Sequence, residues 1–561
     1  MKLHSPAIPP VVLLLLLCLT AASCGIKKLR NSRPDLARFD TAAPVLTTHT
    51  DTFAVTAAGG QLRKNRYGLY ELYVSGDPLQ LGLQNGILSE PLVKKQERVF
   101  FKKIEELVPS ESRRRFLRFF LNWYNRKLPD HVSPALQAEI YGVSRYFSDD
   151  FDYLADKYLR SLFLHGAHDI GHALQDLALV GCSSFAVWGD KTADGSMLVG
   201  RNFDFYAGDE FAEDKIIAFV QPDRGHRFAS VTWGGMVGVV SGMNEAGLTV
   251  TINAGKSDLP LVAKTPIALL NREILQYAAT VDEAVAIARR RAVFVSESVF
   301  VASASERRAV LIELSPKKIG IYEVPNSEQL ICTNHFQSDA YAKDKKNTRH
   351  IAESHSQYRY ERLTELLDET EKITPQSAAD ILRNRRGLDD RPLGYGNEKA
   401  LNQLLAHHAV IFKPEQRQIW ISTNPYQLGA FVAYDLHEVF EKINRQNPDE
   451  LWHAPHLTVE KDTFLLSEDY RRYEEYRTLR DSVLRMLENE EDIPPGTEEK
   501  LIVLNPEYWE AYYLVGKYRY QKRDYAAAKT AFETALTKEI TTLPDRAAAE
   551  EYLRKINKKL K

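Results

Sequence analysis

Between residues 181 and 204 the chain has to double back on itself, and this hairpin constrains the fold more than any other feature. Gly181-Cys182-Ser183-Ser184-Phe185-Ala186-Val187-Trp188-Gly189 has the composition of a short strand, and Asp190-Lys191-Thr192-Ala193-Asp194-Gly195 that of a polar turn. Met197-Leu198-Val199-Gly200-Arg201-Asn202-Phe203-Asp204 is the returning strand, and it carries Arg201 and Asp204 past the thiol of Cys182. Two later segments deliver amides at strand ends. They are Gly242-Met243-Asn244-Glu245-Ala246-Gly247-Leu248-Thr249-Val250-Thr251-Ile252-Asn253 and Cys332-Thr333-Asn334-His335-Phe336.

Together these segments resemble the penicillin acyltransferase family of N-terminal nucleophile hydrolases, and more distantly the bile salt hydrolases and acid ceramidase-like amidases. The resemblance covers roughly residues 60 to 440. It implies that self-cleavage of the Gly181-Cys182 bond exposes Cys182 as a new N-terminus, and that Cys182 is then the nucleophile. Arg201 and Asp204 match the family's Arg-Asn-x-Asp pair, Asn253 the amide after Met-Asn-Glu-x-Gly-Leu, and Asn334 the Asn-His-Phe element. Arg359, in Ser356-Gln357-Tyr358-Arg359, falls where relatives place a second active-site arginine, with Arg362 one helical turn on as the alternative counterpart.

The chemistry suits these residue types. A nearby guanidinium such as Arg201 favours a thiolate, and a freed α-amino group at Cys182, titrating at about 7.7 to 8.0, can accept and return a proton near neutral pH. Asp204 would hold that amine, and the amides of Asn253 and Asn334 would donate to a developing oxyanion. Self-cleavage needs a backbone that side chains would obstruct, which glycine at 181 permits. No cofactor, metal or catalytic histidine is called for. His335, His407 and His408 lack ligand spacing to a second His or Cys and are read as structural, and Cys332 as a buried thiol.

Blander assignments exist for each group: an ordinary ion pair for Arg201 and Asp204, turn amides for Asn253 and Asn334. Trp188, Phe203, Phe205, Tyr206, Trp233 and Met236 suit either an apolar acyl pocket or the core. The leading functional reading is a self-processed cysteine amidohydrolase or acyltransferase acting on a C–N amide of an acylated small molecule through a thioester. The competing class is a non-catalytic, membrane-anchored scaffold whose hydrolase core has lapsed. A Cys-His peptidase is a third, weaker fit.

The 561 residues are 44% hydrophobic and 26% charged, enough for a large core and a further module. A net charge of -2 provides no electrostatic footprint for nucleic acid. Residues 1–23 are expected to be an export signal, because the apolar run Val11 to Leu19 is too short to span a bilayer. Ala21-Ala22-Ser23-Cys24 resembles a bacterial lipobox, with ordinary signal cleavage beside Cys24 as the alternative. That places a lipid on Cys24 and the protein in the bacterial cell envelope, facing the periplasm or on the outer membrane. Residues 24–59 are expected to be a tether, 60–440 the catalytic domain, 441–500 a charged helical linker and 501–561 a segment resembling one tetratricopeptide repeat that could bind a protein partner.

Periodicity places helices over 97–175 and 266–290, and strands over 182–255 and 293–334. Two groups of antiparallel strands flanked by helices give an α+β fold, a four-layer α/β/β/α sandwich, the architecture the resemblance also implies.

Overall fold

The computed structural model describes residues 28–108, 110–166, 169, 181–256, 262–445, 447 and 449–561. The expected signal peptide, Cys24 and residues 170–180 lie outside the described residues. Strands, numbered in chain order, form two sheets. The larger runs β1 (Leu46–His49), β2 (Phe53–Thr56), β3 (Gln61–Lys64), β4 (Tyr70–Gly76), β7 (Ile216–Pro222), β8 (Phe228–Thr232), β9 (Ser241–Asn244), β10 (Leu248–Ala254), β11 (Glu297–Ser303), β12 (Arg308–Leu314) and β13 (Ile319–Tyr322). The smaller runs β14 (Gln329–Cys332), β5 (Ser183–Val187), β6 (Leu198–Phe203), β15 (His408–Lys413), β16 (Gln418–Ser422) and β17 (Phe431–Asp435). Neighbours in both sheets are antiparallel except β4 and β7, which pair in parallel.

Period-two alternation decides which face each side chain takes. In β6 and the residue before it, Met197 and Val199 join Phe219, Phe300 and Phe412 in a core contributed by both sheets. Leu198 points the other way, with Phe185, Ile411 and Trp420, into a core that also holds Leu363 and Leu382 from helices Ser356–Glu369 and Pro375–Leu382. A third core joins Leu72, Val74, Val250 and Ile252 of the larger sheet to Val143, Leu270 and Ile274 of the helices on its far side. The same alternation puts Arg201 on the inner face of β6, with Val199 and Phe203.

Several stretches differ from the sequence expectation. Residues 46–56, inside the expected tether, pair as β1 and β2, with Ala54 and Thr56 alternating into the protein. The expected helix over 266–290 is two, Ile267–Tyr277 and Val281–Arg289, because Ala278 is extended and Thr280 forms a capping box with Glu283.

The charged helix Glu468–Glu488, inside the expected linker, buries Tyr473, Tyr476, Val483 and Leu487, whose spacing puts them on one face. That face and the hairpin of helices Trp509–Gln521 and Tyr525–Thr537 share one core, and the hairpin's other side packs on Ala549 and Ile556 of helix Leu543–Lys559. The C-terminal helices also grip the loop that follows Leu393. Asn505 accepts from the Tyr395 N–H at 3.0 Å and donates to its carbonyl at 2.8 Å, while Asn397 donates to the Glu539 carbonyl at 2.9 Å.

Gly394 sits at φ +77°, and a Cβ there would lie 2.4 Å from the Tyr508 backbone. Gly394→Ala is therefore expected to lower unfolding stability by more than about 1 kcal/mol, through left-handed strain and through displacement of the 505–508 turn. Denaturant unfolding of the full chain measures it.

Candidate active site

The hairpin aligns Ser184 with Arg201 and Ser183 with Asn202, and the Gly181 N–H donates to the Asp204 carbonyl at 3.2 Å, so Cys182 sits at the mouth of the β5–β6 pair. Arg201 crosses from the smaller sheet to the larger one. Its Nη1 donates to the Val240 carbonyl at 3.1 Å and to Ser241 Oγ at 2.6 Å, and its Nη2 donates to the Ile252 carbonyl at 2.5 Å. The same Nη2 lies 3.7 Å from Cys182 Sγ, and the guanidinium stacks over the Phe203 ring at 4.2 Å.

The two asparagines bridge the sheets. Asn253, at the end of β10, donates to the Cys332 carbonyl at 3.2 Å and accepts from Ser184 Oγ at 2.8 Å. Asn334, just past β14, donates to the Ala254 carbonyl at 2.9 Å. Each amide nitrogen has a second hydrogen to donate. Arg359, one turn into helix Ser356–Glu369, donates through Nη1 to the Cys182 carbonyl and to Ser183 Oγ, both at 2.7 Å, and through Nη2 to Asn334 Oδ1 at 2.7 Å. Arg362 is engaged elsewhere, with Glu365 and Asp390. Cys182, Arg201, Asp204, Asn253, Asn334 and Arg359 thus meet in one buried cluster.

Burial dominates its electrostatics. The Cys182 thiol is pushed up to about 11 by desolvation, with the Arg201 charge opposing and Asp204 adding to the rise. The expected bias toward thiolate is outweighed, because burial costs the thiolate more than the Arg201 charge returns. Burial also pushes the Asp204 carboxyl up to about 7, against the pull of Arg359 and Arg201, and neither of its oxygens has a hydrogen-bond partner. Next to Arg201, burial and then the charge of Asp169 hold Glu297 well above the usual carboxylate range. Asp169 itself is pushed up to about 8 by burial and accepts from the Ile267 N–H at 2.8 Å.

Among the described residues no histidine bonds to the Cys182 thiol. His408 Nε2 lies 2.9 Å from Ser241 Oγ and its Nδ1 2.8 Å from His407 Nδ1, and burial holds both rings well below their ordinary value. His335 Nδ1 lies 2.9 Å from Ser356 Oγ. Cys332 is a free, buried thiol, as is Cys182. The described residues hold no cluster of three or more His, Cys, Asp or Glu able to bind a metal. None of their helices is long and apolar enough to cross a membrane.

Four contributors are not legible as motifs: Ser183, Ser184, Ser241 and Gln403. Period two could have flagged Ser184, since it opposes Arg201 and so shares its face. Gln403 lies on an irregular loop without a local signal, yet its Nε2 donates to the Gly181 carbonyl at 2.8 Å. Phe203 packs parallel to Trp233, and Phe211 edge-on to it, which makes these aromatics core beside the site. Phe205, Phe211, Leu405 and Pro425 line a cavity of about 180 Å³ together with Asp209, Glu213, Glu474 and Arg477.

Residues 191–425 match the family model of acyl-coenzyme A:6-aminopenicillanic acid acyl-transferase. The match begins after Cys182 and includes Arg201, Asp204, Asn253, Asn334 and Arg359. An uncharacterized protein of Archaeoglobus fulgidus is 30% identical over 236 residues, which are 39% of this chain. The chain spans 38% of that relative's length. Among solved structures, the Caenorhabditis elegans ortholog of N-acylethanolamine-hydrolyzing acid amidase aligns at 18% identity and TM-score 0.31, over 42% of this chain and 93% of its own. A mutant of the conjugated bile acid hydrolase of Clostridium perfringens aligns at 15% identity and TM-score 0.32, over 50% of this chain and 97% of its own.

The raised Asp204 carboxyl has a measurable consequence. Its neutral form is the one the buried site favours, so its contribution to stability is full below the unfolded value of 3.8 and is lost as pH rises toward about 7. In a Cys182→Ala background, Asp204→Asn is expected to melt higher than its parent at pH 8, and the difference should close by pH 4. Melting temperatures across that range test this.

Proposed function

We propose that this chain is a cysteine N-terminal nucleophile enzyme that cuts its own Gly181-Cys182 bond and then hydrolyses, or transfers the acyl group of, an amide of an acylated small molecule. The observation that carries the reading is the Asp204 carboxylate, buried without a hydrogen-bond partner beside a cysteine whose thiol faces Arg201. Ionising a buried carboxyl that accepts no hydrogen bond is costly until a cation pairs with it directly. The ammonium of a new N-terminus at Cys182 is such a cation, and its free amine is the base that the uncut site lacks.

In the cut enzyme the amine of Cys182 takes the thiol proton and the sulfur attacks the substrate carbonyl carbon. The second N–H groups of Asn253 and Asn334 donate to the oxyanion, and the amine returns the proton to the departing nitrogen. The acyl group is then a thioester on Cys182, and water or a second amine accepts it. Arg359 fixes the Cys182 carbonyl and Asn334 together, so nucleophile and oxyanion donor keep one geometry. The match to an acyltransferase family model supports acyl chemistry.

Helices on the outer faces of two facing sheets support the four-layer α/β/β/α reading. The C-terminal hairpin, with Gly516 against the Phe532 ring, supports the likeness to a tetratricopeptide repeat. Export through residues 1–23 and a lipid on Cys24 in the bacterial envelope belong to the same proposal, on the sequence pattern alone.

Wild-type protein is expected to run as two chains on denaturing gels, the larger beginning at Cys182 by N-terminal sequencing. Cys182→Ala should stay whole and inactive toward acyl amides; an active, uncut alanine variant refutes the reading. Asn253→Ala and Asn334→Ala should each lower kcat by about a hundredfold or more with a smaller change in KM, measured by amide turnover of the cut enzyme.

A further inference from the structure

We propose that Gln403 is the oxyanion donor of the maturation step, a catalytic residue that acts on the chain's own Gly181 carbonyl. The inference rests on the self-cleavage reading and adds to it a residue outside the cluster derived from the motifs. Gln403 Nε2 donates to the Gly181 oxygen at 2.8 Å with both groups buried, Gln403 being 2% exposed. That oxygen is the one on which charge develops when the neighbouring sulfur attacks. The Asn253 and Asn334 amides donate to the Cys332 and Ala254 carbonyls, so the bond from Gln403 is a separate one, made to the scissile group itself.

The step balances as follows. Cys182 Sγ bonds to the Gly181 carbonyl carbon, the C–N bond to Cys182 breaks, and the thiol proton ends on the released amine of Cys182. A water molecule then hydrolyses the resulting thioester, its hydroxyl going to the Gly181 carboxyl and its proton to the sulfur. Each half passes through a tetrahedral centre bearing the former carbonyl oxygen, and a donor already aligned there lowers both barriers.

Three features hold the donor in place. A Cβ at residue 181 would lie 2.1 Å from Gln403 Nε2 and 2.5 Å from its Oε1, so glycine at 181 is what lets the amide lie flat against the carbonyl. The loop is pinned on one side by Asn202, which donates to the Leu401 carbonyl at 2.8 Å, and by the Asn402 N–H, which donates to the Asn384 carbonyl at 2.8 Å. On the other side the C-terminal helices fix the same loop through Asn505 on Tyr395, Glu539 on Asn397, and Lys399 paired to Glu539 at 2.8 Å. Leu404, next to Gln403, is held at φ +55° and packs with Tyr473 of the helix Glu468–Glu488. The C-terminal helices are thus part of the frame that aims Gln403.

The test follows cleavage of full-length chains made by cell-free translation, as the fraction of two-chain product against time. Gln403→Met, similar in length but without a donor, is expected to slow cleavage by about a hundredfold relative to wild type. Its melting temperature should match that of uncut Cys182→Ala, which separates a lost donor from a lost fold. Cleavage of folded Gln403→Met within threefold of wild type overturns the proposal. If Gln403→Met does not fold, Gln403→Glu, which replaces only the donating group, carries the test with the same expected loss and the same overturning result. A wild-type chain that never cuts at Gly181-Cys182 is a different failure, since it removes the self-cleavage reading and this proposal with it.

Discussion

Burying Arg201 at the junction of the two sheets is the constraint on which the rest of the site depends. A guanidinium taken out of water is destabilising unless its donors find acceptors, and here the acceptors are the Val240 and Ile252 carbonyls and Ser241 Oγ of the larger sheet. Those groups become available only where the β9–β10 pair comes level with the β5–β6 hairpin. Arg201 therefore fixes the register of one sheet against the other while it presents Nη2 to the Cys182 sulfur. Asn253 and Asn334 add neutral bridges between the same strand ends, and Arg359 ties helix Ser356–Glu369 to the mouth of the hairpin. With so many ties already made, the uncut site is electrostatically quiet. Its thiol is protonated, the Asp204 carboxyl accepts no hydrogen bond, and both Nη atoms of Arg201 are held by acceptors of the larger sheet.

How much of this was legible in the sequence depends on how far apart the interacting residues lie. Arg201 and Asp204 were legible because a strand, a polar turn and a returning strand occupy consecutive positions, so local chemistry and period two dictate their proximity to Cys182. Asn253 and Asn334 were legible as amides at strand ends, although nothing local indicated that they would span the sheets. The choice between Arg359 and Arg362 needed the helix in place, since one turn separates a residue on the Cys182 carbonyl from one on Glu365 and Asp390. Gln403 was not legible, because its contact with Gly181 joins positions 222 residues apart through a loop without periodicity. The strands at 46–56 escaped for another reason: a Thr-rich segment buries few apolar groups, and its pairing comes from an edge supplied by β3. The charged helix Glu468–Glu488 looked solvated by composition because its buried face is built largely of tyrosines among arginines and glutamates.

The C-terminal helices are as much a part of the site's support as the sheets are. Their own hydrophobic faces are taken up by one another and by the loop over residues 393–404, through Tyr508 against Gly394 and Asn505 against Tyr395. A face engaged within the chain is not open to a partner, so the surface of this segment left for binding is its exterior, charged for the most part with Val503, Leu543 and Leu560 exposed on it.

The parallel pairing of β4 with β7 bears on what a broken backbone would mean. β4 aligns with β7 from Tyr70 against Ile216 to Gly76 against Pro222, inside a continuous sheet, while the covalent path between them runs through Gly181-Cys182. A cut there leaves the two fragments sharing a ladder and the hydrophobic layers on both of its faces. In such a pair folding and association are one event, because each fragment lacks the other half of its own core and has no folded free form to return to. Separating the fragments would therefore unfold both, and the stability of the cut particle would depend on its concentration where that of the uncut chain does not.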